Sequence, residues 1–260
     1  MINPFSVAFR LFYGWYTWTM FVLLGVLTLI ALLLVPGLER RRQLAQRAAR
    51  FILRITGIRY QLTQAELLPE APCVIVANHC SYLDGLLMKA ALPARFSFVI
   101  KKEMVRIPLA GLLLKRIGSL FVDRHNRHAG GMDTRRILRE AHGGKSLVFF
   151  PEGTFTDKVG LQRFHLGAFA TAQRADLPVV PVALHGTRRI LRPGSVWPRP
   201  GTVQVQVLGA IKADHQRRDR SLTEALRDQA RAHLLMALGE PDLQNALSLV
   251  EDSIKPAIIE

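Results

Sequence analysis

Six short apolar runs, at residues 73–77, 96–100, 118–122, 146–150, 179–184 and 202–208, constrain this chain more than any other feature. Each has the length of a strand. Several are apolar throughout, as strands covered on both faces must be. Helical patterns lie between them, at 82–91, 104–116, 130–142 and 164–175, and such alternation predicts an α/β fold with a mostly parallel mixed sheet flanked by helices. The run at 202–208 alternates polar with apolar residues and is expected as an exposed or edge strand. A closing helix is expected from Ser221 to Leu238, where Ser221 and Glu224 make a capping-box pattern, and a further one near 242–254. Pro193 to Pro200 reads as a surface loop. At 260 residues the chain can bury one full core beside a short appendage.

The appendage is N-terminal. Trp15 to Val35 holds no charged residue and, at about 1.5 Å rise per residue, is roughly 30 Å long as a helix, one hydrocarbon thickness. Tyr13, Trp15, Tyr16 and Trp18 cluster at its start like an interfacial aromatic belt. Pro36-Gly37 ends it, and Arg40, Arg41, Arg42, Arg47, Arg50, Arg54 and Arg59 follow. A basic block beside an apolar span reads as the cytoplasmic side of a membrane and as an anchor on anionic head groups. The expectation is therefore a membrane anchor at residues 1–59 and a catalytic domain at 60–260, at a cytoplasmic membrane of bacterial type. Whether the anchor spans the membrane or lies in one leaflet is left open. The positive charge follows the apolar stretch, which does not fit a cleaved signal peptide.

A formal net charge of +15 requires an anionic partner. Membrane lipid and nucleic acid both qualify on charge, but aromatic residues are not interleaved with the basic block, so nucleic acid is not expected. The two cysteines, Cys73 and Cys80, fit a reducing compartment. No Cys or His cluster has metal-ligand spacing, and neither metal nor cofactor is expected.

Chemistry is concentrated in Asn78-His79-Cys80-Ser81-Tyr82-Leu83-Asp84, directly after the apolar run Cys73 to Ala77. Residues five apart on one helix diverge by roughly 140°, so His79 and Asp84 can meet only across a turn. With the strand ending near Ala77 and a helix starting near Ser81, both lie at the strand's carboxyl end, where open α/β sheets carry their sites. Asp84 accepting from one ring nitrogen leaves the other to take a proton from a hydroxyl. Ser81 and Cys80 are close enough in sequence to act as a covalent nucleophile, a route that ranks second because a nucleophile needs its own base within reach.

Three further segments follow in order: Gly118-Ser119-Leu120-Phe121-Val122-Asp123-Arg124, Phe150-Pro151-Glu152-Gly153-Thr154 and Val179-Val180-Pro181-Val182-Ala183-Leu184. With the His79 block, they resemble the four blocks of the glycerolipid acyltransferases, whose best-known members are the 1-acylglycerol-3-phosphate acyltransferases; the resemblance covers about residues 70–190. It implies direct transfer of an acyl group from an acyl thioester, acyl-CoA or acyl carrier protein, to the hydroxyl of a lysolipid. It also implies His79 and Asp84 as catalytic residues, and Asn78, Lys101, Arg124, Glu152, Gly153 and Thr154 as substrate-binding, and it allows the anchor to be a two-helix hairpin of residues 5–35 and 39–57 that dips into one leaflet. Glu152 is expected to hold a basic side chain or hydroxyl, and the amides of Gly153 and Thr154 to form a donor surface for phosphate.

Two positions depart from the family pattern. Phe155 stands where an arginine commonly follows Glu-Gly-Thr, and His165 where a lysine is common. The implied acceptor is 1-acyl-sn-glycerol-3-phosphate; the lower charge leaves another lysophospholipid or a lyso-aminolipid such as lyso-ornithine lipid as the alternative. A membrane-tethered, anionic-ligand-binding protein is the non-enzymatic alternative. Hydrolysis ranks below transfer, since no Gly-x-Ser-x-Gly elbow is present.

Overall fold

The computed structural model describes residues 4–123, 127–212 and 219–244. In chain order, the helices are α1 (Pro4–Leu34), α2 (Leu38–Ile55), α3 (Asp84–Ala91), α4 (Ala110–Arg116), α5 (Arg127–His142), α6 (Gly167–Ala175), α7 (Thr187–Ile190) and α8 (Arg220–Leu238). The strands are β1 (Ile58–Thr63), β2 (Val74–Ala77), β3 (Ser97–Lys101), β4 (Leu120–Val122), β5 (Leu147–Phe149), β6 (Val179–His185) and β7 (Gly201–Val207). One seven-stranded sheet runs β1-β7-β6-β2-β5-β3-β4. All neighbours are parallel except β6 and β7. The expected mixed α/β sheet is thus present, with all six expected strands and β1 in addition.

Alternation along β2 explains the two cores. Ile75 and Ala77 pack on one face with Ala49 and Leu53 of α2 and Leu87 and Met88 of α3. Val74 and Val76 pack on the other, with Ile137 of α5, Phe169 of α6 and Ala230 of α8. Such strands have no solvated face, which is why the run is apolar throughout. Each fully buried valine or isoleucine contributes about 1.5–3 kcal/mol of transfer free energy. The boundary expected between residues 59 and 60 falls inside β1.

Three local expectations are corrected. The segment 104–116 is not one helix. Pro108 has no amide to donate and disfavours helical backbone at Ile107; a 3₁₀ turn at Lys102–Arg106 and α4 are separated by Leu109, at φ +63°. The run 202–208 is not an edge, because β7 is flanked by β6 and β1; its alternation reflects partial cover on one face. The cap of α8 is Asp219, whose side chain accepts from the Ser221 amide and hydroxyl. The helix expected near 242–254 lies mostly outside the described residues.

The N-terminal hairpin has the expected bounds to within about two residues. Gly37 turns it at φ +81°, a conformation that costs an ordinary residue about 1–2 kcal/mol. Among the described residues α1 is the one helix long and apolar enough to cross a membrane: Ala8–Leu34 reaches a mean hydropathy of 2.4 and only 11% of that window is buried. It does not stand away from the sheet domain. Near its start the Tyr13 and Tyr16 hydroxyls donate to the Thr56 and Ile55 carbonyls at the end of α2, at 2.5 and 2.9 Å, and the Trp18 indole donates to the Val196 carbonyl of the sheet domain. Near its end Arg116 donates to the carbonyls of Leu32 and Leu33 at 3.1 and 3.2 Å. Arg42 of α2 is buried and donates to the carbonyls of Ile117 at 3.0 Å and Arg95 at 3.1 Å and to the Ser97 hydroxyl, tying the hairpin to the sheet.

Candidate active site

β2 and β5 are adjacent and parallel, with Val76 level with Phe149. Continuing both chains by three residues brings His79 level with Glu152 at the carboxyl edge of the sheet. His79 is turned by a loop folded around Asp84, the first residue of α3. Asp84 Oδ2 accepts the amides of Cys80 at 2.7 Å and Ser81 at 2.8 Å, and His79 Nδ1 lies 2.8 Å away. An oxygen that already accepts two N–H groups is an acceptor toward the ring too, so Nδ1 carries the proton and Nε2 is left as the basic nitrogen. Asp84 is fully buried, whereas the His79 side chain keeps about a fifth of its surface open.

Around the imidazole the walls are aromatic. Phe150 stacks on it with centroids 4.4 Å apart, and Phe155 meets it edge-on at the same distance. Tyr82, 67% exposed, meets Phe155 edge-on at 4.7 Å. Sequence reasoning did not find this cage, although each of its rings sits inside or beside a block it had singled out. Phe150 also lines an apolar cleft of about 360 Å³ with Val99, Val122, Phe149, His165 and Ala168.

Several of the residues expected to bind substrate are engaged by the chain's own backbone. Asn78 is buried and both ends of its amide are engaged by β6: Nδ2 donates to the Leu184 carbonyl at 3.0 Å and Oδ1 accepts its amide at 2.7 Å. It extends the sheet and aims the turn. Among the described residues Glu152 is engaged by two main-chain amides rather than by a basic side chain or a hydroxyl. Its Oε1 accepts the His79 amide at 2.6 Å and its Oε2 the Gln162 amide at 3.0 Å. Burial pushes this carboxyl up to about 7, against the opposing pull of those two amides. The Gly153 amide closes a turn onto the Phe150 carbonyl at 3.0 Å, with Gly153 at φ +77°. Thr154 is exposed, and its carbonyl accepts from Gln162. Lys101 is exposed at the carboxyl end of β3. Arg124 lies outside the described residues.

Neither candidate nucleophile is available. Ser81 is buried, its hydroxyl donating to the Leu191 carbonyl at 2.6 Å and accepting the Leu83 amide. The Cys80 thiol lies 3.1 Å from the Thr187 hydroxyl, and burial pushes it up to about 12, the wrong direction for a nucleophile. Arg188, which sequence reasoning also missed, donates to the carbonyls of Thr156 at 3.1 Å and of Lys158, and so holds the loop that carries Phe155.

A base held by a carboxylate at the carboxyl edge of an α/β sheet is equipment for drawing a proton from a hydroxyl or from water. Residues 59–185 match the family model described as Acyltransferase. The chain is 35% identical over 158 residues to human 1-acyl-sn-glycerol-3-phosphate acyltransferase beta, covering 60% of this chain and 56% of that one. It is 38% identical over 120 residues to the lyso-ornithine lipid O-acyltransferase of Pseudomonas aeruginosa, covering 45% and 44%. The crystal structure of the 1-acyl-sn-glycerophosphate acyltransferase of Thermotoga maritima shares the fold, with a TM-score of 0.66 and 19% identity over 88% of this chain and 96% of that one. Over residues 59–185, about half of its length, the chain is similar to the glycerolipid acyltransferases. It spans about half the length of the two curated relatives.

Proposed function

We propose that this chain is a membrane-bound O-acyltransferase that moves a fatty acyl group from acyl-CoA or acyl carrier protein to the free hydroxyl of a lysolipid. The acceptor is 1-acyl-sn-glycerol-3-phosphate and the product phosphatidic acid, a step of phospholipid biosynthesis. The observation that carries this reading is the 2.8 Å contact of His79 Nδ1 with Asp84 Oδ2. It turns Nε2 into a base for the acceptor hydroxyl. The hydroxyl oxygen attacks the thioester carbonyl as its proton passes to Nε2; the tetrahedral adduct then collapses, the C–S bond breaks, and Nε2 returns the proton to the leaving thiolate. Asp84 stabilises the imidazolium between the two transfers. Transfer is direct, because the Ser81 hydroxyl and Cys80 thiol are engaged elsewhere. The cleft behind Phe150 is apolar enough for an acyl chain.

A second acceptor reading has its own support. Phe155 sets an aromatic edge against His79 where a head-group cation is common in the family. That favours a larger or amine-bearing head group, in keeping with the name of the lyso-ornithine lipid relative. Rates with a labelled acyl thioester and lysolipids bearing phosphate, ethanolamine or ornithine head groups separate the two. A preference for phosphate upholds the first reading, and an amine preference replaces it with the second.

The hairpin is the proposed anchor, at the cytoplasmic face of a bacterial-type inner membrane. Contacts at both ends of α1 favour a helix lying in one leaflet, since a spanning helix would draw the sheet domain into hydrocarbon with it. The exposed stripe of Phe12, Trp15, Val22, Leu27, Ile30 and Leu34 supplies the lipid face. Carbonate extraction tests attachment: release of the full-length chain into the soluble fraction excludes it.

A further inference from the structure

We propose that the loop between α7 and β7 is a second lipid-contacting element, distinct from the hairpin, which seats the mouth of the catalytic turn on the bilayer surface. Its sequence, Arg192-Pro193-Gly194-Ser195-Val196-Trp197-Pro198-Arg199-Pro200, places an apolar tip between two arginines. Three prolines stiffen it, which lowers the entropy lost when the tip is held in one place. Val196 is 61% exposed, and Arg192 and Arg199 are exposed on either side.

The loop is fastened to α1. The Trp18 indole donates to the Val196 carbonyl at 2.6 Å, and the Trp197 ring packs so closely on Gly14 that no side chain could stand there. Next to this junction α1 exposes Trp15 at 70% and Trp18 at 39%. Val196 therefore carries the apolar face of the hairpin outward onto the sheet domain. At its other end the loop meets the site. Ser81 of the catalytic turn donates to the Leu191 carbonyl at 2.6 Å, and Thr187 touches Cys80.

The occupant is a lipid surface. A small apolar tip with basic flanks, continuous with a long uncharged helix, matches hydrocarbon beneath anionic head groups. The consequence is positional: a lysolipid leaving the bilayer at Val196 emerges beside the turn that holds His79. That consequence rests on the acyltransferase reading; the lipid contact itself does not.

The test places an environment-sensitive fluorophore on the full-length chain at Val196→Cys, the native Cys73 and Cys80 being buried. On phosphatidylcholine vesicles containing phosphatidylglycerol, the emission is expected to shift to the blue and to be quenched by lipids brominated in their acyl chains. An aqueous spectrum overturns the proposal. So does a blue shift without lipid quenching, which marks a protein contact instead. In the unlabelled chain, Val196→Asp is expected to lower the ratio of turnover on vesicle-borne to dispersed short-chain lysolipid about tenfold, the factor for returning one valine to water; an unaltered ratio contradicts it. If no lysolipid turns over, the acyltransferase reading fails while the fluorescence still decides on the loop.

Discussion

Glu152 Oε1 accepts the main-chain amide of His79 at 2.6 Å, so an acid on β5's outgoing loop fixes the backbone of the base on β2's. The ionised form accepts both the His79 and the Gln162 amides, whereas the protonated form turns one oxygen into a hydroxyl and weakens one of the two bonds. The carboxyl is pushed up to about 7 and is faced by Asp84 and Glu240, both acidic. Turnover is therefore expected to fall as pH drops through about 7, in kcat more than in KM. In Glu152→Gln the share of that limb due to this carboxyl should be lost, leaving only the protonation of the base His79 itself, at a lower plateau. A limb of the same midpoint in the variant would assign it to another group.

Stability has the opposite sign. The folded state binds more protons than the unfolded chain between the ordinary glutamate value of 4.5 and about 7. The stability this group contributes is full below the unfolded value and is lost as pH rises through about 7, on the order of 3 kcal/mol in all. Thermal melts at pH 5 and 8 should show a drop that is smaller in Glu152→Gln. An equal drop in both proteins would contradict the assignment.

Arg42 ties α2 to the carbonyls of Ile117 and Arg95 and to the Ser97 hydroxyl. Arg42→Met keeps the buried stem but leaves those acceptors without a donor. A loss of about 2–4 kcal/mol is expected, measured by denaturant unfolding in detergent. A change below about 0.5 kcal/mol, the level of an ordinary surface site, would contradict a structural role for the clamp.

Phe155→Arg puts a cation beside His79. If the head group sits there, KM for a phosphate monoester acceptor should fall about tenfold, the value of one charge-assisted hydrogen bond. KM for an amine-bearing acceptor should rise. Unaltered constants for both would place the head group elsewhere.

The sheet was legible because its inner strands are buried on both faces and show as unbroken apolar runs. β1 was overlooked although Ile58 to Thr63 alternates apolar with polar residues, the same signal that marked 202–208; it follows directly on the basic helix α2, and its pairing with β7 makes it part of the sheet. The His79 and Asp84 pairing was legible because five-residue spacing permits contact only across a turn. The work of Asn78 and Glu152 was not, since both serve main-chain amides and carbonyls brought close only by the sheet register. Phe150 and Phe155 read as ordinary apolar residues until folding set them against the imidazole.

The central claim is that His79, oriented by Asp84, takes the proton of an acceptor hydroxyl. The most direct measurement is transfer of a labelled acyl group from its thioester to lysolipid by purified wild type, His79→Ala and Asp84→Asn. Wild type should form the diacyl product; His79→Ala should fall by about 10²–10⁴-fold, and Asp84→Asn by a comparable factor, with KM little altered. Equal product formation by wild type and His79→Ala would contradict it.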